Sequence, residues 1–132
     1  MITVELALRL RTAGLEWSPT SGDRFVIPDR GMDTEIFVVS QLTVDVHDAP
    51  TGRLLRFNGT TEWALDSVEQ EAVVWLPWEG QLRDALGPRF RRLEPLGAGF
   101  AVVISAPDGE QRHIDVDAER AYARALLTTL HA

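Results

Sequence analysis

Histidine and aspartate alternate in the segment HIDVD, and this spacing is the best candidate in the chain for metal chemistry. Alternate residues of a strand share a face, so His113 and Asp115 would lie close enough to bind one ion. The same alternation predicts that Ile114 and Val116 point into the core, which leaves the histidine and the aspartate in water. Asp117 is better placed as the N-cap of a following helix. We therefore predict a solvated sheet face and no metal site.

Other groups that could do chemistry are scattered along the chain. Asp45 and His47 alternate in the same way as the HIDVD pair, and Glu62, Asp66, Glu69 and Glu71 crowd the middle of the sequence. A carboxylate pair can serve acid–base catalysis, but a crowd of acids in a loop is usually a solvated segment. No serine lies in a G-x-S-x-G motif, and no glycine-rich loop with a Walker lysine is present. The sequence predicts no catalytic residue and no cofactor.

Four tryptophans in 132 residues are many for a small domain. Trp17 and Trp75 belong to apolar runs, and we predict that both are core residues. Trp63 and Trp78 have polar neighbours, so partial exposure is expected for them, and they are the candidate binding residues for a partner protein. For Trp78 the expectation is an indole with one face packed and its edge in water. Packing in the core or at its boundary is the favoured role for the tryptophans as a group.

Composition restricts the class of protein. The chain has 45% hydrophobic and 25% charged residues, a formal charge of −7 and no cysteine. These values predict one globular domain over residues 1–132, without disulfides or cysteine-bound metals. The acidic balance disfavours nucleic acid and anionic lipid, and Arg89, Arg91 and Arg92 are interpreted as a solvated strand edge. No apolar run suits a membrane span or a signal peptide, so we expect a cytoplasmic protein.

The pattern of elements predicts an α+β fold. Thr3 caps a first helix that Gly14 ends, and RFVIP, EIFVVS, LTVDVHD and RLLRFN are predicted strands. A second helix begins at Pro77 and stops at Gly87-Pro88, and three further strands lead to a helix capped by Asp117. We expect a single domain with a largely antiparallel sheet and about three helices packed on one face.

Several structural motifs extend over nearly the whole chain and resemble a known group of proteins. They are A-G-L-x-W-x-P from Ala13 to Pro19 with the GDRF that follows, the W-L-P step and Q-L helix from Trp75 to Leu82, and the closing A-x-x-Y-A-x-A-L-L. The chain is similar to small, mostly uncharacterised bacterial and phage-borne proteins, some of which carry an automatic pilus-assembly label. That label would imply a larger ATPase-like protein. The resemblance implies no catalytic residue, because its motifs are structural.

Two functions from different classes follow. The first is a cytoplasmic accessory or protein-interaction domain without catalytic machinery, whose partner is a protein and which binds neither nucleic acid nor membrane. The alternative is a small enzyme or ligand-binding domain that uses Asp or Glu with His47 or His113. A deep pocket that holds two carboxylates, or a carboxylate and a histidine, would favour the enzyme. A shallow apolar patch would favour the interaction domain.

Overall fold

The first helix, α1 (Val4–Thr12), forms where its local signals agree. The Thr3 hydroxyl accepts a hydrogen bond from the Leu6 amide at 3.1 Å, as an N-cap residue does. Leu6, Ala7 and Leu10 share the buried face of this helix. Gly14 has φ +112°, a conformation that side chains rarely adopt, so a glycine suits the end of the helix. The predicted first helix is confirmed.

The computed structural model describes residues 1–28, 32–39, 44–49, 52–57, 67–69 and 72–130. Its internal contacts divide the chain into two compact units. The inserted unit is Trp17–Leu76, and the flanking unit combines Met1–Glu16 with Pro77–Ala132. The prediction of a single domain over residues 1–132 stays a prediction.

The described residues of the inserted unit form six strands in two antiparallel sheets. One sheet has the order β2-β1-β6, from β1 (Arg24–Ile27), β2 (Met32–Val38) and β6 (Val74–Leu76). The other has the order β3-β4-β5, from β3 (Val44–Ala49), β4 (Gly52–Phe57) and β5 (Ser67–Glu69). β3 pairs with β4 from Val44↔Phe57 to Ala49↔Gly52, so the predicted strands LTVDVHD and RLLRFN form a hairpin.

A row of aromatic rings packs against the aliphatic core of the inserted unit. Phe25 is fully buried on β1, and its ring lies 5.6 Å from that of Phe37 and 5.9 Å from that of Trp17. Trp17 in turn stacks on Trp75 at 6.0 Å with nearly parallel planes. Both tryptophans are half-buried. Trp17 packs against the buried cluster of Phe25, Ile27, Val39 and Val73, which agrees with the predicted packing in the core or at its boundary.

The flanking unit is a three-stranded antiparallel sheet with three helices. Its strands are β7 (Phe90–Leu96), β8 (Gly99–Ala106) and β9 (Gly109–Asp115), in the order β7-β8-β9. Helix α3 (Ala118–Leu130) packs on β8 and β9, and α1 and α2 (Glu79–Leu86) pack on α3. The α+β class predicted from the sequence is confirmed, with helices packed against an antiparallel sheet. The buried residues of α3 are Ala121, Tyr122, Ala123, Ala125, Leu126 and Leu127.

Helix α2 begins two residues later than the sequence predicts. Pro77 was expected in its first turn, but Pro77 precedes the helix and Trp78 is the N-cap residue. Gln81, at the third position of the helix, accepts a hydrogen bond from the Trp78 amide at 2.9 Å. This is one half of a capping box. A 3-10 turn at Gly87–Arg89 follows the helix, so the predicted stop at Gly87-Pro88 is confirmed.

The three helices of the flanking unit all begin at the same end of that unit. The Met1 amine, just before α1, lies 2.8 Å from Asp117, just before α3. The first amide of α2, that of Glu79, donates to Glu119 in the first turn of α3 at 2.9 Å. The C-terminal part of α1 adjoins Leu127 near the other end of α3. We call the end where the helices begin the N-end of the flanking unit.

Candidate functional site

The HIDVD segment has the opposite orientation to the predicted one. Ile114 and Val116 are 54% and 67% exposed, whereas the Asp115 side chain is only 9% exposed. His113 and Asp115 therefore face α3, and the prediction that they face water was wrong. In this orientation the Asp115 carboxylate lies beside two arginines of α3, Arg120 and Arg124.

Asp115 joins the end of β9 to α3. Its carboxylate accepts hydrogen bonds from Arg124 Nε at 2.9 Å and from the Asp117 amide at 3.1 Å, and Arg120 Nε lies 3.2 Å away. Burial raises the pKa of Asp115, but the hydrogen bonds from Arg124 and the Asp117 amide and the charges of both arginines outweigh it, so that the net pKa is lowered. The group stays ionised and holds the strand end against the helix.

The carboxylates at the N-end cap the helices of the flanking unit. Asp117 accepts from the Arg120 amide at 3.0 Å, which confirms the predicted cap of α3, and its other oxygen accepts from the Met1 amine. Glu119 accepts the first amide of α2. Helix N-termini attract anions because their amides are unpaired and their dipoles are positive. Here the chain supplies those anions itself.

His113 lies beside Asp115 without forming a catalytic pair with it. The Asp115 carboxylate is engaged by the arginines of α3, and the His113 ring instead has Gln111 as its polar neighbour, with Nε2 3.3 Å from Oε1. Burial lowers the pKa of His113, so the ring is neutral near pH 7. Within the ranges that the structure describes, no cluster of three His, Asp or Glu residues could hold a metal ion.

Exposed apolar side chains collect at the N-end. Trp78 is 44% exposed, Leu96 48% and Met1 51%, and Ile114 and Val116 are still more exposed. These five residues define what we call the N-end surface. Among the residues that the structure describes, the flanking unit has one other large apolar side chain in this class, Leu8, which borders a shallow depression between α1 and α3. Exposed apolar area is therefore concentrated at one end of the unit.

Backbone contacts hold the members of the N-end surface in place. Leu96 at the end of β7 pairs with Gly99, the first residue of β8. A Cβ atom on Gly99 would meet the Asp115 carbonyl oxygen at 2.5 Å and the Val116 Cα at 3.0 Å, so only glycine fits there. This close approach places Val116 beside the Leu96 pair. Trp78 lies next to Glu79, whose amide donates to Glu119 in the first turn of α3.

A charged network occupies the other part of the open sheet face. Arg92 contacts Glu94 at 3.1 Å and Glu110 at 3.2 Å, and Arg112 contacts Glu94 at 3.1 Å. Val103, which lies between Arg92 and Arg112 in register, is fully buried. The arginine stems are positioned to cover it while their charged ends stay in water. Of the three arginines predicted as a solvated strand edge, only Arg92 belongs to this network. Arg91 donates to the Pro88 carbonyl at 3.0 Å, and Arg89 lies in the 3-10 turn before β7.

The structure gives less information about the other candidate residues of the sequence analysis. Trp63 lies outside the residues that the structure describes, as do Glu62, Asp66 and Glu71. His47 lies on β3, opposite Leu54 in the hairpin register. Trp78 has the partial exposure expected for it, whereas its role in binding stays a prediction.

Sequence reasoning missed four members of the N-end surface and the anchoring role of Asp115. The four are Met1, Leu96, Ile114 and Val116. A signal was present, because Arg120 and Arg124 are one helical turn apart and follow Asp115 closely.

Comparisons with known proteins leave the chain without an assigned family. No protein-family model, curated protein or solved structure matches it. The resemblance to bacterial and phage-borne proteins with a pilus-assembly label therefore stays a prediction. Within the described residues, the helices are too short or too polar for any of them to cross a bilayer.

Proposed function

We propose that this protein is a non-enzymatic accessory domain of the cytoplasm that binds a partner protein through the N-end surface. The observation that carries the proposal is the concentration of exposed apolar side chains at one end of the flanking unit. Contiguous apolar patches on a small domain mark sites of association. Tryptophan is over-represented among the residues that contribute most to binding, and Trp78 is part of the patch.

The charges beneath the N-end surface support a protein partner over a small charged ligand. The carboxylates of Asp115, Asp117 and Glu119 already accept hydrogen bonds from within the chain. Paired charges around an apolar centre form the polar rim that protein interfaces usually have. A partner that covers Trp78 and Val116 gains apolar burial without breaking those pairs.

The test compares variants inside and outside the N-end surface as bait in pull-downs from the native host. Trp78→Ala and Val116→Ser should each reduce recovery of a specific partner about tenfold or more, the effect of losing an interface hot spot. Leu8→Ser is the matched control, because it also removes an exposed apolar side chain. This control should retain the partner. Photo-crosslinking from position 78 then shows whether that partner touches the surface directly.

Thermal melts decide whether a loss of capture means a loss of binding. Trp78→Ala should cost no more than about 1 kcal/mol of stability, as expected of an exposed side chain. If Leu8→Ser abolished capture as fully as Trp78→Ala, or if Trp78→Ala captured normally, the N-end surface would not be the binding site.

A further inference from the structure

The outer edge of β9 is an open sheet edge. Among the described residues, β9 pairs only with β8, and the register runs without a shift from Phe100↔Asp115 to Ala106↔Gly109. Glu110, Gln111 and Arg112 are all exposed. An unpaired edge of this kind presents backbone donors and acceptors to any strand that can align with it.

The opposite edge of the same sheet is protected. β7 carries Pro95, which has no amide hydrogen to donate, and its register with β8 shifts between Phe90 and Arg92. Prolines and bulges are the devices by which natural sheets block edge pairing. β9 has neither. Its charged residues do not shield the edge either, because Glu110 and Arg112 reach across the sheet face to Arg92 and Glu94.

The hairpin geometry identifies which backbone groups of β9 point outward. Ala106 and Gly109 are paired across a two-residue turn, so they form a hydrogen-bonded pair. Hydrogen-bonded and non-hydrogen-bonded pairs alternate along an antiparallel ladder. Glu110 and Arg112 therefore belong to the non-hydrogen-bonded pairs with β8. Their amides and carbonyls face the open edge.

We propose that a second copy of this chain pairs antiparallel with the β9 edge, with Gln111 at the two-fold axis. In this register Glu110 lies opposite Arg112 of the second copy, and Arg112 lies opposite Glu110 of the second copy. In each of these two pairs the backbone amides and carbonyls point away from β8 and can bond to the other copy. The two side chains carry opposite charges, and opposite charges directly across strands are stabilising. His113 meets Gly109 of the second copy, which offers no side chain to obstruct it.

The pairing joins two β7-β8-β9 sheets into one six-stranded sheet. It is isologous, since the same residues serve both copies, and such closed two-fold contacts are the commonest form of protein oligomer. The flanking unit, which contains β9, has nine arginines and ten acidic residues, a formal charge of −1.

Crosslinking tests the register directly. The chain contains no cysteine, so Gln111→Cys introduces a single thiol. Residues facing each other in a non-hydrogen-bonded pair have Cα atoms about 4.5 Å apart, within the range for a disulfide. With oxidised glutathione as the oxidant, Gln111→Cys should form a disulfide dimer at least tenfold faster than Asp84→Cys. Asp84 is exposed on α2 and reports random collision.

Sedimentation measures the dimer without a covalent bond. Wild type should sediment as a concentration-dependent dimer, and Arg112→Glu should be monomeric because it places like charges across the axis. Glu94→Gln removes the internal partner of Arg112 but leaves the edge unchanged, so this control should remain dimeric. Circular dichroism confirms that each variant is folded. A monomeric wild type, a dimer that survives Arg112→Glu, or equal crosslinking at positions 84 and 111 would overturn the proposal.

Discussion

The two units of this chain differ in how they use charge. The inserted unit has four arginines and ten acidic residues, a formal charge of −6, whereas the flanking unit has nine arginines and ten acidic residues, a charge of −1. Almost all of the net negative charge of the protein thus belongs to the inserted unit, although each unit has ten acidic residues. In the flanking unit, opposite charges are paired between elements, as at Asp115 with Arg124 and at Arg112 with Glu94. The net charge of the whole chain therefore describes neither of the two units.

The cores of the two units also differ. The inserted unit packs around the rings of Trp17, Phe25, Phe37 and Trp75. In the flanking unit, alanine and branched aliphatic residues predominate, with Tyr122 lying against Phe90 at 5.7 Å. Large rings fill space with few residues, which suits a unit of short strands. Small residues let helices approach each other and the sheet closely, which suits a layered unit.

The largest effect is expected from emptying the aromatic core of the inserted unit. Phe25→Ala should lower the free energy of unfolding by about 3–5 kcal/mol, because a fully buried ring leaves a cavity. Denaturant melts measure the loss. Hydrogen exchange followed by mass spectrometry should show faster exchange mainly in residues 17–76. Equal acceleration in the flanking unit would show that the two units unfold as one.

A smaller loss of stability is expected from replacing either of the two stacked tryptophans, and the loss should differ between them. Trp17 Nε1 donates to the buried Asp23 carboxylate at 2.9 Å, whereas the buried Trp75 Nε1 has no hydrogen-bond partner among the residues that the structure describes. Trp17→Phe should therefore cost about 1–3 kcal/mol, the price of weakening the hydrogen bonding of a buried carboxylate. Trp75→Phe keeps most of the ring and removes an unsatisfied donor, so it should cost clearly less. If the two variants unfolded at the same temperature, the hydrogen bond of Trp17 would not be what distinguishes the two tryptophans.

In the flanking unit, Asp115→Asn should destabilise by about 1–3 kcal/mol, since hydrogen bonds to a charged group are the stronger kind. The effect depends on pH. The pKa of Asp115 is lower in the folded state, so its contribution is present above the unfolded pKa, near 3.8, and is lost as the pH falls from there through the folded pKa.

Melts from pH 7 to pH 3 should show that wild type and Asp115→Asn converge in acid. Asp108→Asn, in the exposed turn between β8 and β9, is the control and should keep the wild-type profile. A constant gap between wild type and Asp115→Asn at every pH would mean that the carboxylate charge is not what stabilises the strand end.

The smallest effect concerns His113, whose pKa is lowered by burial. Below pH 6.5 the unfolded chain takes up a proton before the folded one does. Stability from this group is therefore complete above pH 6.5 and declines as the pH falls toward the folded pKa. His113→Gln should remove that part of the decline while leaving the part below pH 5 unchanged. Melts at pH 7 and pH 5.5 are sufficient to measure it.

The sequence predicted where helices begin and end better than it predicted which face of a strand is buried. Thr3, Gly87-Pro88 and Asp117 marked helix boundaries correctly, because capping depends on nearby residues. The orientation of β9 was predicted wrongly, because hydrophobic alternation gives no weight to ion pairs with a helix that follows in sequence. Ile114 and Val116 were therefore assigned to the core. The N-end surface could not be predicted for a related reason, since it is made of the ends of elements that only the fold brings together.

The flanking unit is discontinuous in sequence, and this affects how the chain emerges from the ribosome. Helix α1 is translated before the inserted unit and α3 after it, with more than a hundred residues between their first positions. At ordinary rates of protein synthesis, α1 exists for on the order of ten seconds before its packing partner is complete. The inserted unit is entirely synthesised in that interval, with Trp17 and Trp75 at its two ends. It can close first, while the apolar face of α1 remains a transient target for chaperones.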